Sequence, residues 1–406
     1  MLTVPAWATR QSIARPIIGA ARERAAFQRM LGARPDQPPV AGLEHEFTVT
    51  DGARQVDFAS VIHGLSLGRR QLDPDDPNAY RLETGAVVTS DKREAEIALA
   101  PFDVVPGFGS AAARRAEREA TALRQRLPVG LALLGYSTHI SIEVPEALTV
   151  EVAKLYVRRF GPAMLLAMDG PEAPGLRIRP RHRRLELCGD FVAGERLRAA
   201  LEFAAGSVAT CIGVLAGEPA AAPLPPPVVA AVRPAIERPG WFIDQPSLGL
   251  EPGQADGVLR LADGRGLAVR DHVEVASQAA SDSLGRWLDP SAASPSHDGQ
   301  AGPFGDLLQI RHRPGVDIAP VLVSWPLTVF MVSGVGARQP AFAAVPREWL
   351  GRFLSMFDGG DLDSSLRGYI RGRHNVSRAI GWHDVRQPAL FDDLPSRLAL
   401  MPPEPL

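Results

Sequence analysis

The stretch Gly42-Leu43-Glu44-His45-Glu46-Phe47 decides how this chain is read. It continues into Thr48-Val49-Thr50, whose β-branched side chains favour an extended backbone, and then into Asp51-Gly52, a ready turn. Residues two apart in a strand point to the same side, so Glu44 and Glu46 share one face while Leu43, His45 and Phe47 take the other. Two carboxylates that close repel unless solvent or a cation lies between them, and hard oxygen donors suit Mg²⁺ or Mn²⁺. The alternative is a solvated strand face with alternating glutamates. Partners elsewhere in the chain decide between the two.

The 406 residues are enough for one large core, or for a large and a small domain. An apolar share of 45% with 22% charged residues is ordinary for a globular chain, and a formal net charge of −2 argues against a nucleic-acid or membrane-surface binder. Cys188 and Cys211 are too few for a disulfide framework and read as small buried apolar residues, which fits a reducing compartment. No apolar run reaches the roughly 18–20 residues of a membrane span. The arginine-rich N-terminus lacks a signal-peptide core. These features predict a cytoplasmic protein.

Around the opening strand the pattern is α+β. Residues 11–32 and 109–127 read as helices, as do 150–168, 194–216, 271–288, 346–358 and 363–370. Strand-like pieces lie at Tyr80–Ser90, Ala95–Leu99, Leu131–Leu134, Ser137–Val144 and Leu185–Cys188. The Leu131 and Ser137 pieces read as a hairpin or as adjacent strands. Asp263-Gly264-Arg265-Gly266 is a hairpin turn between Val258–Leu261 and Leu267–Val269. The Ser-, Pro- and Gly-rich stretch 289–304 is a mobile loop or boundary by composition. The domain expectation is an N-terminal helical segment (1–39), a catalytic domain (40–290) and a C-terminal domain (305–406).

Further acidic residues fall on later strands. Glu96 alternates with Ile97, Asp91 sits at the turn before it, and His139 and Ser141 share a strand face. Glu186 lies between Leu185 and Leu187 after the basic run Arg177–Arg184, and a buried carboxylate there costs several kcal/mol unless paired or metal-bound. Glu44, Glu46, Glu96, His139 and Glu186 would thus converge on one face of a sheet.

That set resembles the glutamine synthetase and glutamate–cysteine ligase superfamily. GLEHEF (42–47) looks like its G-x-E-x-E opening strand, and EIALAP (96–101) is similar to the E-I-A-T-P strand of the glutamate–cysteine ligase branch. RIRPRHRRLELCGD (177–190) resembles that branch's R-P…E-x-R-x-x-D strand. Gly85-Ala86 through Asp91, Arg184-Leu185-Glu186 through Asp190, and Leu261–Asp271 look like segments of the Pup ligase and depupylase branch. The chain departs from that branch by having Val87 and Thr89 where the branch has Arg and Tyr.

The resemblance implies a curved, mostly antiparallel sheet forming a funnel, with ATP and Mg²⁺ (or Mn²⁺) as cofactors. It implies Glu44, Glu46, Glu96 and Glu186 as metal ligands, and Asp91 as the catalytic base. Arg179, Arg184, His139 and Trp382 would contact nucleotide or phosphate, guanidinium forks suiting phosphate. The implied activity is ATP-dependent carboxylate–amine ligation through an acyl phosphate, on small-molecule, peptide or protein substrates. An amide hydrolase using the same site and a degenerate nucleotide-binding regulator are the alternatives.

Overall fold

The computed structural model describes residues 38–367 apart from 53, 68, 71–77, 83, 169–174, 219–221, 229–232, 235–239, 251–256, 289–309, 324–326, 335–340, 347–349 and 364–365. The helix expected at 11–32, the 289–304 stretch, the end of the 363–370 helix and Trp382 lie outside the described residues.

The strands begin with β1 (Val40–Asp51), β2 (Arg54–Val56), β3 (Arg69–Arg70), β4 (Tyr80–Arg81), β5 (Val87–Asp91), β6 (Glu94–Ala98) and β7 (Phe102–Asp103). Helix α1 (Phe108–Arg126) leads to β8 (Leu131–Glu143), α2 (Thr149–Arg159) and α3 (Gly161–Met168). Then come β9 (Leu176–Arg181), β10 (Arg184–Asp190), α4 (Gly194–Leu215), β11 (Arg233–Pro234) and β12 (Trp241–Ile243). The hairpin β13 (Val258–Arg260) and β14 (Gly266–Ala268) feeds α5 (Val269–Trp287). Last are β15 (Arg311–Arg313), β16 (Val316–Val323), β17 (Leu327–Ser333), β18 (Ala341–Pro346) and α6 (Leu350–Gly359).

The chain divides into two compact units, residues 38–67 with 86–304, and residues 1–37 with 68–85 and 305–406. In the first unit the strand order is β11-β12-β9-β10-β8-β1-β6-β5, and β2 and β7 also pair with β1. Every pairing among these described strands is antiparallel. The architecture is a mixed one, helices with a mostly antiparallel sheet.

Period-two alternation sorts this sheet into two faces. Leu43, Phe47, Ile97, Ile140, Ile142, Ile178, Leu185 and Leu187 form its apolar face and are all buried. The helices cover that face at close range: a Cβ built on Gly189 of β10 would stand 2.8 Å from the Met168 Cβ of α3. Helices α4 and α5 approach just as closely, since a Cβ on Gly206 would meet the Ala280 carbonyl oxygen at 2.1 Å. Helix α4 is long and apolar enough to cross a membrane by length and composition, yet most of it is buried against its neighbours.

Three local readings change. The segments at Leu131 and Ser137 form one strand, β8, because β1 runs beside it from Ala41↔Ile142 to Asp51↔Leu131. The register shift between Glu46 and Phe47 absorbs an extra residue there, as a β-bulge does. Gly135 marks close packing rather than a turn, since a Cβ would lie 2.2 Å from the Phe191 ring. The helix expected over 150–168 breaks into α2 and α3, where Pro162 offers no N–H to continue the ladder. Tyr80–Ser90 is likewise not one strand: Gly85, at φ 87°, separates β4 from β5.

Two tight hairpins set the ends of the polar strands. Lys92 (φ 55°) turns β5 into β6 beside the pair Asp91↔Glu94, and Arg183 (φ 56°) turns β9 into β10 beside Arg181↔Arg184. Left-handed backbone at a non-glycine residue costs roughly 1–2 kcal/mol, which the paired strands on either side must offset.

The second unit is built on the antiparallel order β15-β16-β17-β18 with α6. Phe330 of β17 and Phe353 of α6 meet with ring centroids 5.3 Å apart, and Ile318, Val332, Val345 and Phe357 are among the buried residues of the same unit.

Candidate active site

Residues directly opposite each other on antiparallel strands point the same way, so register alone assembles the polar face. On central β1, Glu44 stands opposite Ala98 of β6 and His139 of β8, while Glu46 stands opposite Glu96 and Ser137. On β10, Cys188 faces His139, Glu186 faces Ser141 and Asp190 faces Ser137. The flanking strands add Thr89 opposite Glu96 and Arg179 opposite Glu186. One polar row therefore runs Thr89-Glu96-Glu46-Ser137-Asp190 from β5 to β10, and a second runs Glu44-His139-Cys188-Arg177 beside it.

The acidic end of the first row is crowded. Glu46, Asp91 and Glu96 each offer an oxygen within 4.8 Å of the others. Burial and the charges of Glu44, Glu46 and Asp91 push the Glu96 carboxyl well above its ordinary range, against the opposing pull of His139. A protonated carboxyl and a bound cation are the two ways to relieve such a cluster. Three converging oxygen donors with no nitrogen or sulfur suit a hard divalent ion.

His139 ties the two β1 carboxylates together. Its Nδ1 lies 3.1 Å from Glu44 Oε2, and its Nε2 lies 3.1 Å from Ser137 Oγ and 3.6 Å from Glu46 Oε1. The Ser137 hydroxyl donates to Glu46 Oε2 at 2.9 Å, so its oxygen accepts from the ring. Acceptors at both nitrogens fit an imidazolium. Burial lowers the His139 pKa, but contacts with Cys188 and Glu44 outweigh it and hold the ring well above its ordinary value. Burial also pushes Glu44 upward, and the hydrogen bond and charge of His139, with Arg184 and Arg179, bring it below its ordinary value.

The opposite end is basic. Glu186 is 2% exposed, and its Oε2 lies 2.7 Å from Arg179 Nε and 3.5 Å from Arg181 Nε. A carboxylate buried that deeply is tolerated because two guanidinium groups face it. Arg184 begins β10 and senses both Glu186 and Glu44, although burial dominates and lowers its pKa.

The structure thus places Glu44, Glu46, Glu96, His139, Glu186, Arg179 and Arg184 on one sheet face, with Asp91 at its edge. It brings Asp91 to Glu46 and Glu96, His139 to Glu44 and Glu46, and Arg179 to Glu186. Trp382 lies outside the described residues. Two members of this face escaped the sequence reading. Ser137 bridges Glu46 and His139, and its only signal was lying two residues before His139 on the same strand face. Cys188 is buried, but beside His139 and Arg179 rather than in apolar surroundings. Its spacing of two from Glu186 was the usable signal. Cys211 does sit in apolar packing, where burial raises its thiol pKa strongly.

No family model matches this sequence, and no curated protein does. Among solved structures the chain is similar to the complex between prokaryotic ubiquitin-like protein Pup and its ligase PafA, at 12% identity and a TM-score of 0.37. That similarity spans 91% of this chain and 71% of the other. At this level of likeness the chemistry of the site rests on its own residues.

Proposed function

We propose that this chain is an ATP- and Mg²⁺-dependent carboxylate–amine ligase whose active site is the polar face around β1, the mouth of a glutamine-synthetase-like funnel. The carrying observation is the cluster of Glu46, Asp91 and Glu96, whose oxygens lie within 4.8 Å of one another on the face that also bears Arg179 and Arg184. A carboxylate wall at one end and guanidinium groups at the other suit a polyphosphate carried with divalent cations. The order of the GLEHEF, EIALAP and RIRPRHRRLELCGD segments supports the same reading.

Glu44, Glu46, Glu96 and Glu186 would hold Mg²⁺ (or Mn²⁺), which neutralises charge at the transferring phosphoryl group when bound. Arg179 and Arg184 bind and orient phosphate oxygens. The donor carboxylate attacks the γ-phosphorus of ATP, ADP leaves, and an acyl phosphate results. The amine then attacks the acyl carbon, Asp91 accepts the proton the nitrogen gives up, and inorganic phosphate departs. Asp91 is exposed at the edge of the site, where an incoming amine has access.

The test is ATP turnover with Mg²⁺ against a panel of acids and amines that includes free amino acids, peptides and protein lysines. Stoichiometric ADP and amide are expected from the wild type and neither from Glu44→Ala. Absence of ATP binding by the wild type would overturn the proposal, and amide cleavage without ATP consumption would reverse the direction assigned to the reaction.

A further inference from the structure

We infer that this face holds a second, chemically different metal site, a zinc-type position made by His139, Cys188 and Glu186. Each offers one donor atom, and the three donors lie within 4.8 Å of one another. The set is a ring nitrogen, a sulfur and a carboxylate oxygen, brought together by register because Cys188 stands opposite His139 and two residues from Glu186 on β10. Both strands involved are internal to the sheet, β8 lying between β1 and β10, and β10 between β8 and β9.

The donor chemistry separates this position from its neighbour. Glu46, Asp91 and Glu96 present oxygen alone, which suits Mg²⁺ or Mn²⁺. A thiolate and an imidazole prefer Zn²⁺ and other borderline or soft ions, and three protein ligands with an open fourth position is the arrangement of a reactive rather than a purely structural zinc. Tetrahedral bonds of about 2.0–2.3 Å put donors roughly 3.5 Å apart, so side-chain shifts of about 1 Å close the site. Supporting contacts are in place. Glu44 already pairs with His139 at 3.1 Å, as a carboxylate behind a ligating histidine does. Arg179, 2.7 Å from Glu186, fixes that carboxylate.

On binding, the metal forms bonds to the Cys188 sulfur, one His139 nitrogen and one Glu186 oxygen. The thiol proton and one imidazolium proton leave to solvent, and no electrons change hands. The inference needs neither nucleotide nor turnover, and it reassigns Glu186 from the Mg²⁺ set proposed above to the thiolate-containing site, leaving Glu44, Glu46 and Glu96 to the hard ion.

The experiment is a titration of the full-length, metal-free protein with Cd²⁺ and Co²⁺, followed by the thiolate-to-metal charge-transfer band in the ultraviolet. The chain has only two cysteines, so the source of the band is decided by two variants. The band is expected in the wild type and in Cys211→Ala, and absent in Cys188→Ser. Changing a group that only supports a ligand weakens metal binding by about 10–100-fold, so Zn²⁺ affinity should fall at least that much in Cys188→Ser and His139→Ala. Circular dichroism and thermal melting confirm that each variant is folded, and Glu186→Gln gives a milder change at the third ligand. A band that survives Cys188→Ser, or a wild type without one, overturns the site. A protein that uses no ATP yet shows the Cys188-dependent band would sink the ligase reading alone.

Discussion

Replacing Glu96 by Gln separates a cation site from an ordinary acidic surface, because it should move stability and metal binding in opposite directions. Glu46, Asp91 and Glu96 offer oxygens within 4.8 Å of one another. At that separation two unit charges repel by about 1 kcal/mol in water-like surroundings and about 3.5 kcal/mol at an effective dielectric near 20. Asp91 is exposed and belongs near the lower value, whereas Glu46, 7% exposed, belongs nearer the upper. A value between these limits, about 2 kcal/mol, is the gain expected for metal-free Glu96→Gln. For a unit of this size that corresponds to a melting temperature higher by roughly 4–8 °C.

The sign follows from the raised Glu96 pKa. The folded state holds that proton more tightly than the unfolded chain. Its contribution is therefore full below the ordinary carboxylate value and is lost as pH rises through the elevated one. The advantage of Glu96→Gln should grow as pH rises through that elevated value. Mg²⁺ and Mn²⁺ should stabilise the wild type and do so at least about tenfold less tightly in the variant, a loss of about 1.4 kcal/mol. Thermal melts in chelator and in each metal, with calorimetric titrations, read both effects. A metal-free variant that melts at or below the wild type, with an unchanged response to metal, would refute the reasoning.

Two other predictions concern the scaffold. Arg179→Ala should lower stability by about 3–5 kcal/mol in denaturant titrations, because it strips the close partner from a carboxylate that is 2% exposed. Arg179→Ala with Glu186→Gln should recover much of that loss, and no recovery would show the effect to be packing alone. His272 of α5 is fully buried, and burial depresses its pKa from 6.5 to about 4 despite the Pro226 carbonyl. The neutral ring is favoured by folding, so this contribution is whole above pH 6.5 and is lost as pH falls toward 4, about 3 kcal/mol in all. His272→Leu should flatten that part of the pH–stability curve, and an unchanged slope between those limits would contradict the assignment.

Much of the polar face's membership was legible because a strand's side-chain period is a local property. Glu44 with Glu46, Glu96 against Ile97, and Glu186 between two leucines each declared a polar face without knowledge of any neighbour. The helices at 108–126, 194–215 and 269–287 were legible for the same reason, their apolar spacing lying within a single segment. Where local signals competed, the reading went astray. Gly135 carries the same symbol whether it turns a chain or makes room for a ring, and only the position of Phe191 distinguishes them.

Strand partnership belongs to the tertiary structure alone. Nothing in Glu46 or Glu96 says that they stand opposite each other, and nothing in Cys188 says that its neighbour is His139. Those pairings come from residues far apart in the chain, set by which strands lie side by side and by the bulge between Glu46 and Phe47 that adjusts their alignment. The sequence by itself determined which side chains would share a face. The packed sheet decided which of them lie close enough to hold one ion, because donor atoms converge only when separate strands are in register.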